Sequence, residues 1–422
     1  MAERQTAVIG GAGPVGLVLA LLLARAGVGV TVLEMRDEVN LDAGASTFHA
    51  PTLDLLQSLG VLAPMRQEGV RIDHVQYRDC KGAILARTGF GPLSGHTGNP
   101  YRLHCEQAKL SVLLRDLLAR EKQADIRFDC GVRSVCEDDD GVVVGYGAPG
   151  GLTRREIRAD YLFGCDGAMS GVREACRIGY VEKPYPGLVA RLYADPGLPD
   201  IMPGMDGVTH VFDGDDSVSL LRMADCWHIV LRVPPGVSAT EAGSDAWLTR
   251  RAGALIPIAQ ILPGVMQRDV HGARRRMALQ PRTNRVFLAG DALHLTDMRD
   301  GMNLNAGIHD AFALARAAVA TVAQGSLAAL HRAADDRGRV ARDRLLPRTD
   351  RNAGTGRERL NHIVALSQDP QKLADFLYSQ AMLDMLDGVT MPPPAAHPRH
   401  DMVSPESWPD PKPNHPTRRT TT

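Results

Sequence analysis

The chain has 422 residues, 48 basic against 49 acidic, and a net charge of −1, so no bulk field draws it to nucleic acid or an anionic membrane. Apolar residues at 44% suit a folded enzyme with room for two or three domains. Seven scattered cysteines without C-x-x-C spacing exclude a disulfide framework and a zinc site, and no metal ligand set is expected.

Taken in chain order, the first predicted unit is βαβ: a strand at 7–9, an apolar helix, and a strand at 28–33 ending in Glu34. Between the first strand and the helix, Gly11, Gly13 and Gly16 form G-x-G-x-x-G. The first glycine makes the turn, the second admits a pyrophosphate, and the third lets helix and strand pack closely. The helix N-terminus offers unpaired amides to phosphates. Glu34 stands where a carboxylate accepts from a ribose hydroxyl. The apolar stretch 15–24 is too short to span a bilayer and its glycines already have a nucleotide role, so cytoplasm is the expected location.

Residues 51–60 read as a helix with proline at its start and Gly60 as its stop. Short β-like pieces follow at 73–77 and 84–87, then a helix at 106–120 and strands at 126–128 and 142–146. A strand at 161–164 enters Cys165-Asp166-Gly167. From about 180 to 280 the pattern is β-rich and irregular, with strands expected at 208–212, 218–223 and 227–233. The run Arg274–Arg276 reads as a solvated turn. A buried strand returns at 285–289 and delivers Gly290-Asp291. A long helix then begins near Asn305, and helical patterning runs to about 388 with a break at 352–356. Nine prolines in the last 32 residues predict an extended tail.

The set Gly11-x-Gly13-x-x-Gly16…Glu34, Asp166-Gly167 and Gly290-Asp291, in that order, resembles the single-component FAD-dependent aromatic hydroxylases, the para-hydroxybenzoate hydroxylase fold group. The resemblance runs to about residue 345. It implies an α/β chain: a Rossmann-like FAD-binding domain in three pieces (1–71, 101–180, 281–345), with an inserted β-rich substrate domain (72–100, 181–280). C-terminal helices (346–390) and the tail (391–422) follow. It also implies that Asp291 binds the ribityl chain, and that Asp166 and Gly167 touch FAD and the path of NAD(P)H. Pro14, Val15, Met35, Arg36, Ser46, Gln107, Met302, Asn303, Leu304 and Asn305 complete the expected cofactor contacts. Gln107 stands where many members carry arginine, and Gly44 replaces another frequent arginine. Met298 takes a proline position, and Asp300 and Asn303 take glycine positions.

The activity implied is hydroxylation of a phenol- or hydroxypyridine-like ring with NAD(P)H and O₂ through a flavin C4a-hydroperoxide. The protein would act as a monomer or homodimer, with no nucleic acid or membrane partner. Two alternatives stand beside it: another oxidative or reductive tailoring reaction on the same fold, and a flavin-binding redox protein without turnover. His294, His210 and Arg222 are the catalytic candidates, the last two for holding a phenolate or carboxylate. For each, a packed core histidine or a solvated strand face is the competing reading.

Overall fold

The computed structural model describes residues 5–390 apart from 42–43, 149, 152–153, 297–300 and 353–355. Met298, Asp300 and the tail therefore lie outside the described residues.

A parallel sheet of five strands organises the first body, in the order Val286–Leu288, Tyr161–Gly164, Thr6–Gly10, Gly29–Leu33, Ala124–Arg127. Alternation along each strand serves two cores. Ile9 and Phe163 face the helices Pro14–Arg25, Gln107–Leu118 and Met302–Gln324, whose apolar sides fill one layer. Val8 and Leu162 face an antiparallel sheet of Gly131–Glu137, Val142–Gly147 and Arg155–Ala159. Both faces are covered, so the parallel strands read as nearly continuous apolar runs.

The second body is a seven-stranded sheet that draws on two separated stretches of chain. Its order is Val265–His271, Leu188–Ala194, Trp227–Val233, Asp216–Arg222, Val208–Asp213, His74–Asp79, Ile84–Gly89. One face (Ala190, Leu192, Leu220, Ile229) packs under Trp247, Leu248 and Ile258. The helices Asp245–Ala252 and Ile258–Ile261 there were not expected in a β-rich segment; their eight and four residues are too few for a legible apolar period. The helices Gly356–Ser367 and Pro370–Gln380 cover the far strands through Ile363 and Leu377.

Two expectations are corrected, and one small sheet was not foreseen. Arg274–Ala278 is a strand, paired between Tyr180–Pro184 and His294–Leu295, because Arg274 and Arg276 both bond Glu182 across the ladder. The long helix begins at Met302, three residues before Asn305, because Gly301 turns the chain in a left-handed conformation (φ +62°). Small strands at Thr47–Phe48, Val70–Ile72 and Arg102–His104 form a sheet too short to show a period.

Candidate active site

Between the two bodies lies one cavity of about 1190 Å³. Pockets for one small ligand run to roughly 300–1,000 Å³, so there is room for a large cofactor and a second small molecule.

Backbone shapes the first wall. Gly11 sits at φ +96°, and a Cβ there would lie 2.6 Å from the Cys165 carbonyl oxygen. A Cβ at Gly16 would overlap the Gly11 carbonyl oxygen, whereas Gly13 has open space before it. Pro14 opens the helix, and the first-turn amides lack intrahelical acceptors. The Glu34 carboxylate accepts from the Ala12 N–H at 2.7 Å and the Arg36 N–H at 3.0 Å, which aims it at the turn. Pro14, Val15, Met35, Arg36, Ser46, Gln107, Gly167 and Leu304 line the same wall.

The two family departures here meet. A Cβ at Gly44 would collide with the Gln107 side chain, whose Oε1 accepts from the Ala45 N–H at 3.3 Å. Gly44 and Gln107 thus fit each other.

Asp166 lines the cavity and also caps a turn: it accepts from the Ser170 hydroxyl at 2.5 Å and the Val172 N–H at 2.9 Å. Burial pushes its pKa up, against those bonds. Asp291 lines the cavity beyond Gly290 (φ +57°) and accepts from the Asn303 amide at 2.5 Å. Burial raises its pKa too, with the His294 charge and the Asn303 bond opposing.

Several expected contacts act from behind. Asn305 is fully buried; its oxygen accepts from the His49 N–H at 2.9 Å, and its nitrogen donates to Thr47 and Gly301 carbonyls. It ties the 47–49 loop to the helix start rather than facing the cavity. Met302 is packed among Ala306, Val340 and Met385. Gly16 and Gly290 permit close packing without lining the space.

Side chains make the second wall. The sheet register places Arg191, Val230, Ser219 and His210 in one row across four strands, and His228, Leu221 and Val208 in the next. Period-two alternation turns all of them to the cavity, opposite the apolar face. His210 bonds the Ser219 hydroxyl at 2.8 Å through Nδ1 and stacks on Tyr77. His104, 1% exposed, donates through Nδ1 to the Arg222 carbonyl at 2.8 Å. Its Nε2 is then a bare acceptor with no partner among the described residues. Burial lowers the His104 pKa to about 4, and burial with the Arg191 charge lowers that of His228 to about 3.

Two catalytic candidates are displaced. Arg222 is exposed at a strand end and reaches the site only through its backbone carbonyl. His294, 1% exposed, is sealed between Asp310 and Asn303 and does not line the cavity. Sequence reasoning missed Arg191 and His228. A usable signal existed: in Trp227–Val233 the large apolar residues share one parity, which leaves His228 and Arg232 on the other.

A glycine turn with open space before it, an acid at the end of the second strand and a buried aspartate fit an extended dinucleotide. Fold and cavity together fit a dinucleotide-binding protein whose cavity extends to a wall of sheet side chains. Residues 3–346 match the family model for the FAD binding domain. Para-nitrophenol 4-monooxygenase of Pseudomonas sp. (strain WBC-3) is 32% identical over 332 residues, covering 76% of this chain and 79% of its own. 6-Hydroxy-3-succinoylpyridine 3-monooxygenase of Pseudomonas putida (strain DSM 28022 / S16) is 30% identical over 325 residues, covering 74% and 79%. The crystal structure of p-nitrophenol 4-monooxygenase from Pseudomonas putida DLL-E4 aligns with a TM-score of 0.80 at 26% identity, covering 92% of this chain and 99% of that one. The chain belongs to the FAD-dependent aromatic monooxygenases. Among the described residues, no helix is long and apolar enough to cross a membrane.

Proposed function

We propose that the protein hydroxylates a phenol or hydroxypyridine ring that binds as an anion, consuming NAD(P)H and O₂. The observation that carries this reading is the charge of the two walls. Arg191 and Arg232 line the sheet wall, joined by Arg102 from the Arg102–His104 strand and Arg359 from the Gly356–Ser367 helix, while the acidic lining residues Glu34, Asp166, Glu174 and Asp291 all belong to the dinucleotide side, which also presents Arg36 and Arg133. An electropositive chamber with low-dielectric walls concentrates an anion and favours the phenolate over the phenol. Two relatives whose names specify a nitrophenol and a hydroxypyridine support the same class.

FAD, when bound, would supply the chemistry: acceptance of a hydride from NAD(P)H and activation of O₂ for transfer of one oxygen atom to the ring. The chain's own residues do the rest. The glycine turn and Glu34 hold the adenosine and pyrophosphate end, and Asp291 holds the ribityl chain. The start of the Met302–Gln324 helix presents a positive dipole end to the cavity beside Leu304. The sheet wall positions the ring and excludes water, which otherwise wastes reducing equivalents as peroxide.

The test is oxygen uptake and NAD(P)H oxidation across phenols and hydroxypyridines, with mass spectrometry of the products. A gain of one oxygen atom, with uptake stoichiometric to product, is expected. Flavin reduction with no ring that gains oxygen refutes the reading.

A further inference from the structure

Behind Asp291 runs a buried row of charges that the oxygen chemistry does not itself require. Arg337, 2% exposed, donates through Nε to Asp310 Oδ1 at 2.7 Å. Asp310, fully buried, also accepts from the Gly290 N–H at 3.1 Å and lies 2.8 Å from His294 Nε2. His294 Nδ1 lies 3.2 Å from Asn303 Oδ1, and the Asn303 amide nitrogen lies 2.5 Å from Asp291 Oδ1. Five side chains thus connect a helix core to the cavity wall.

The donors and acceptors in this row admit little choice. A carboxylate only accepts, so the Asn303 nitrogen faces Asp291 and its oxygen faces the imidazole. Asp310, held by Arg337 and an amide, accepts as well. A ring between two acceptors needs a hydrogen on both nitrogens. Turning the amide over sets two oxygens against each other at Asp291 unless that acid takes the proton, so the row holds the same number of protons either way.

We propose that His294 is a buried imidazolium, and that Asn303, at a position where the family usually has glycine, transmits its charge to keep Asp291 an oriented carboxylate. Asn303 and His294 are positioning residues. The coupling rests on the reading that Asp291 holds FAD.

The surrounding charges fit. Burial opposes charge on His294, yet Asp310 first, then Asn303 and Asp291, hold its pKa above the ordinary histidine value. Burial also opposes ionisation of Asp310, but His294 and Arg337 hold its pKa low. The neighbouring His309 is neutral, its pKa pushed to about 3 by burial and Arg337. The strand Arg274–Ala278 meets His294 through uncharged Met277. Arg337, Asp310, His294 and Asp291 then alternate in sign and sum to zero.

The experiment is ¹⁵N NMR of the histidine rings at pH 7.5 in the full chain, with His294→Gln assigning the signal, alongside FAD titration of Asn303→Ala and Asn303→Asp. Two protonated ring nitrogens are expected for His294. Asn303→Ala should lower its pKa and weaken FAD binding roughly tenfold, the size of one hydrogen bond to a charged group. Asn303→Asp should keep the ring charged yet weaken FAD at least as much, because two carboxylates then face each other. A neutral His294 ring at pH 7.5 overturns the proposal. A charged ring with wild-type FAD affinity in both variants overturns the coupling. Asp291→Asn is the control: if it retains wild-type affinity, the assignment of Asp291 to FAD fails while the ring's charge is still read by NMR.

Discussion

The two walls of the cavity solve different problems with different materials. The dinucleotide wall is main chain: turns at Gly11 and Gly301, amides at two helix starts, and carboxylates held by backbone or amide donors. It recognises a ligand whose phosphates and hydroxyls are constant. The sheet wall is side chain: arginines, histidines and a serine set in rows by strand register. On the proposed function it meets the ring, whose substituents differ between the named relatives. A wall made of backbone changes only with the fold, whereas a wall of alternate strand residues changes one residue at a time. On the proposed function, the cofactor side is thus tied to the fold and the substrate side adjustable.

The largest effect should come from behind the backbone wall. Arg337→Met removes one of the two cations flanking buried Asp310 and should cost about 3–5 kcal/mol, as broken buried pairs do. Chemical denaturation measures it, and a loss under 1 kcal/mol would mean that the charge row is not a support. Gly16→Ala comes next, since its Cβ meets a main-chain oxygen that cannot swing away. Overpacking of this kind costs about 1–3 kcal/mol, and FAD retention should fall with it. Glu34→Ala should weaken FAD binding by a similar amount, about 1–3 kcal/mol, seen by titration.

On the sheet wall the prediction reverses. Arg191→Met should leave FAD content unchanged and weaken anionic rings about tenfold, or ~1.4 kcal/mol, while sparing neutral analogues. Equal losses for both ligand types would erase the contrast between the walls.

The pH slopes of stability differ in sign between the walls. His104 and His228 are neutral when folded and have pKa values of about 4 and about 3, against about 6.5 unfolded. Their contribution is complete above pH 6.5 and is lost as pH falls through the folded values, by at most about 1.4 kcal/mol per pH unit and ring. His294 behaves oppositely: its raised pKa gives stability present below the ordinary histidine value and lost as pH rises through the folded one. Thermal unfolding across pH should show His104→Asn flattening the acid side and His294→Gln the alkaline side.

Legibility follows the same division. The strands Tyr161–Gly164, Val208–Asp213 and Trp227–Val233 appear within a residue of their expected ends, because their alternation or apolar runs are long enough to register. The glycine turn and Glu34 were readable because close backbone approach admits few residue types. Arg222 was misplaced and Arg191 overlooked for one reason: a strand's alternation separates its two faces without saying which neighbour each face meets. His294 was misread because an Asp-Ala-Leu-His run beside a cofactor loop looks the same whether the ring points into the cavity or into Asp310, sixteen residues away.

By itself, then, the sequence determined what is local: the βαβ unit, its phosphate turn, the strand periods and the family to which their order belongs. Steric limits on backbone act within a few residues, so they leave a mark that a single chain shows. Tertiary structure alone decided which polar residues line the cavity, which histidines are buried beside charges, and that Asn303 joins Asp291 to a buried arginine through His294 and Asp310. Those properties depend on burial and on partners supplied by distant segments, and neither exists until the chain is folded.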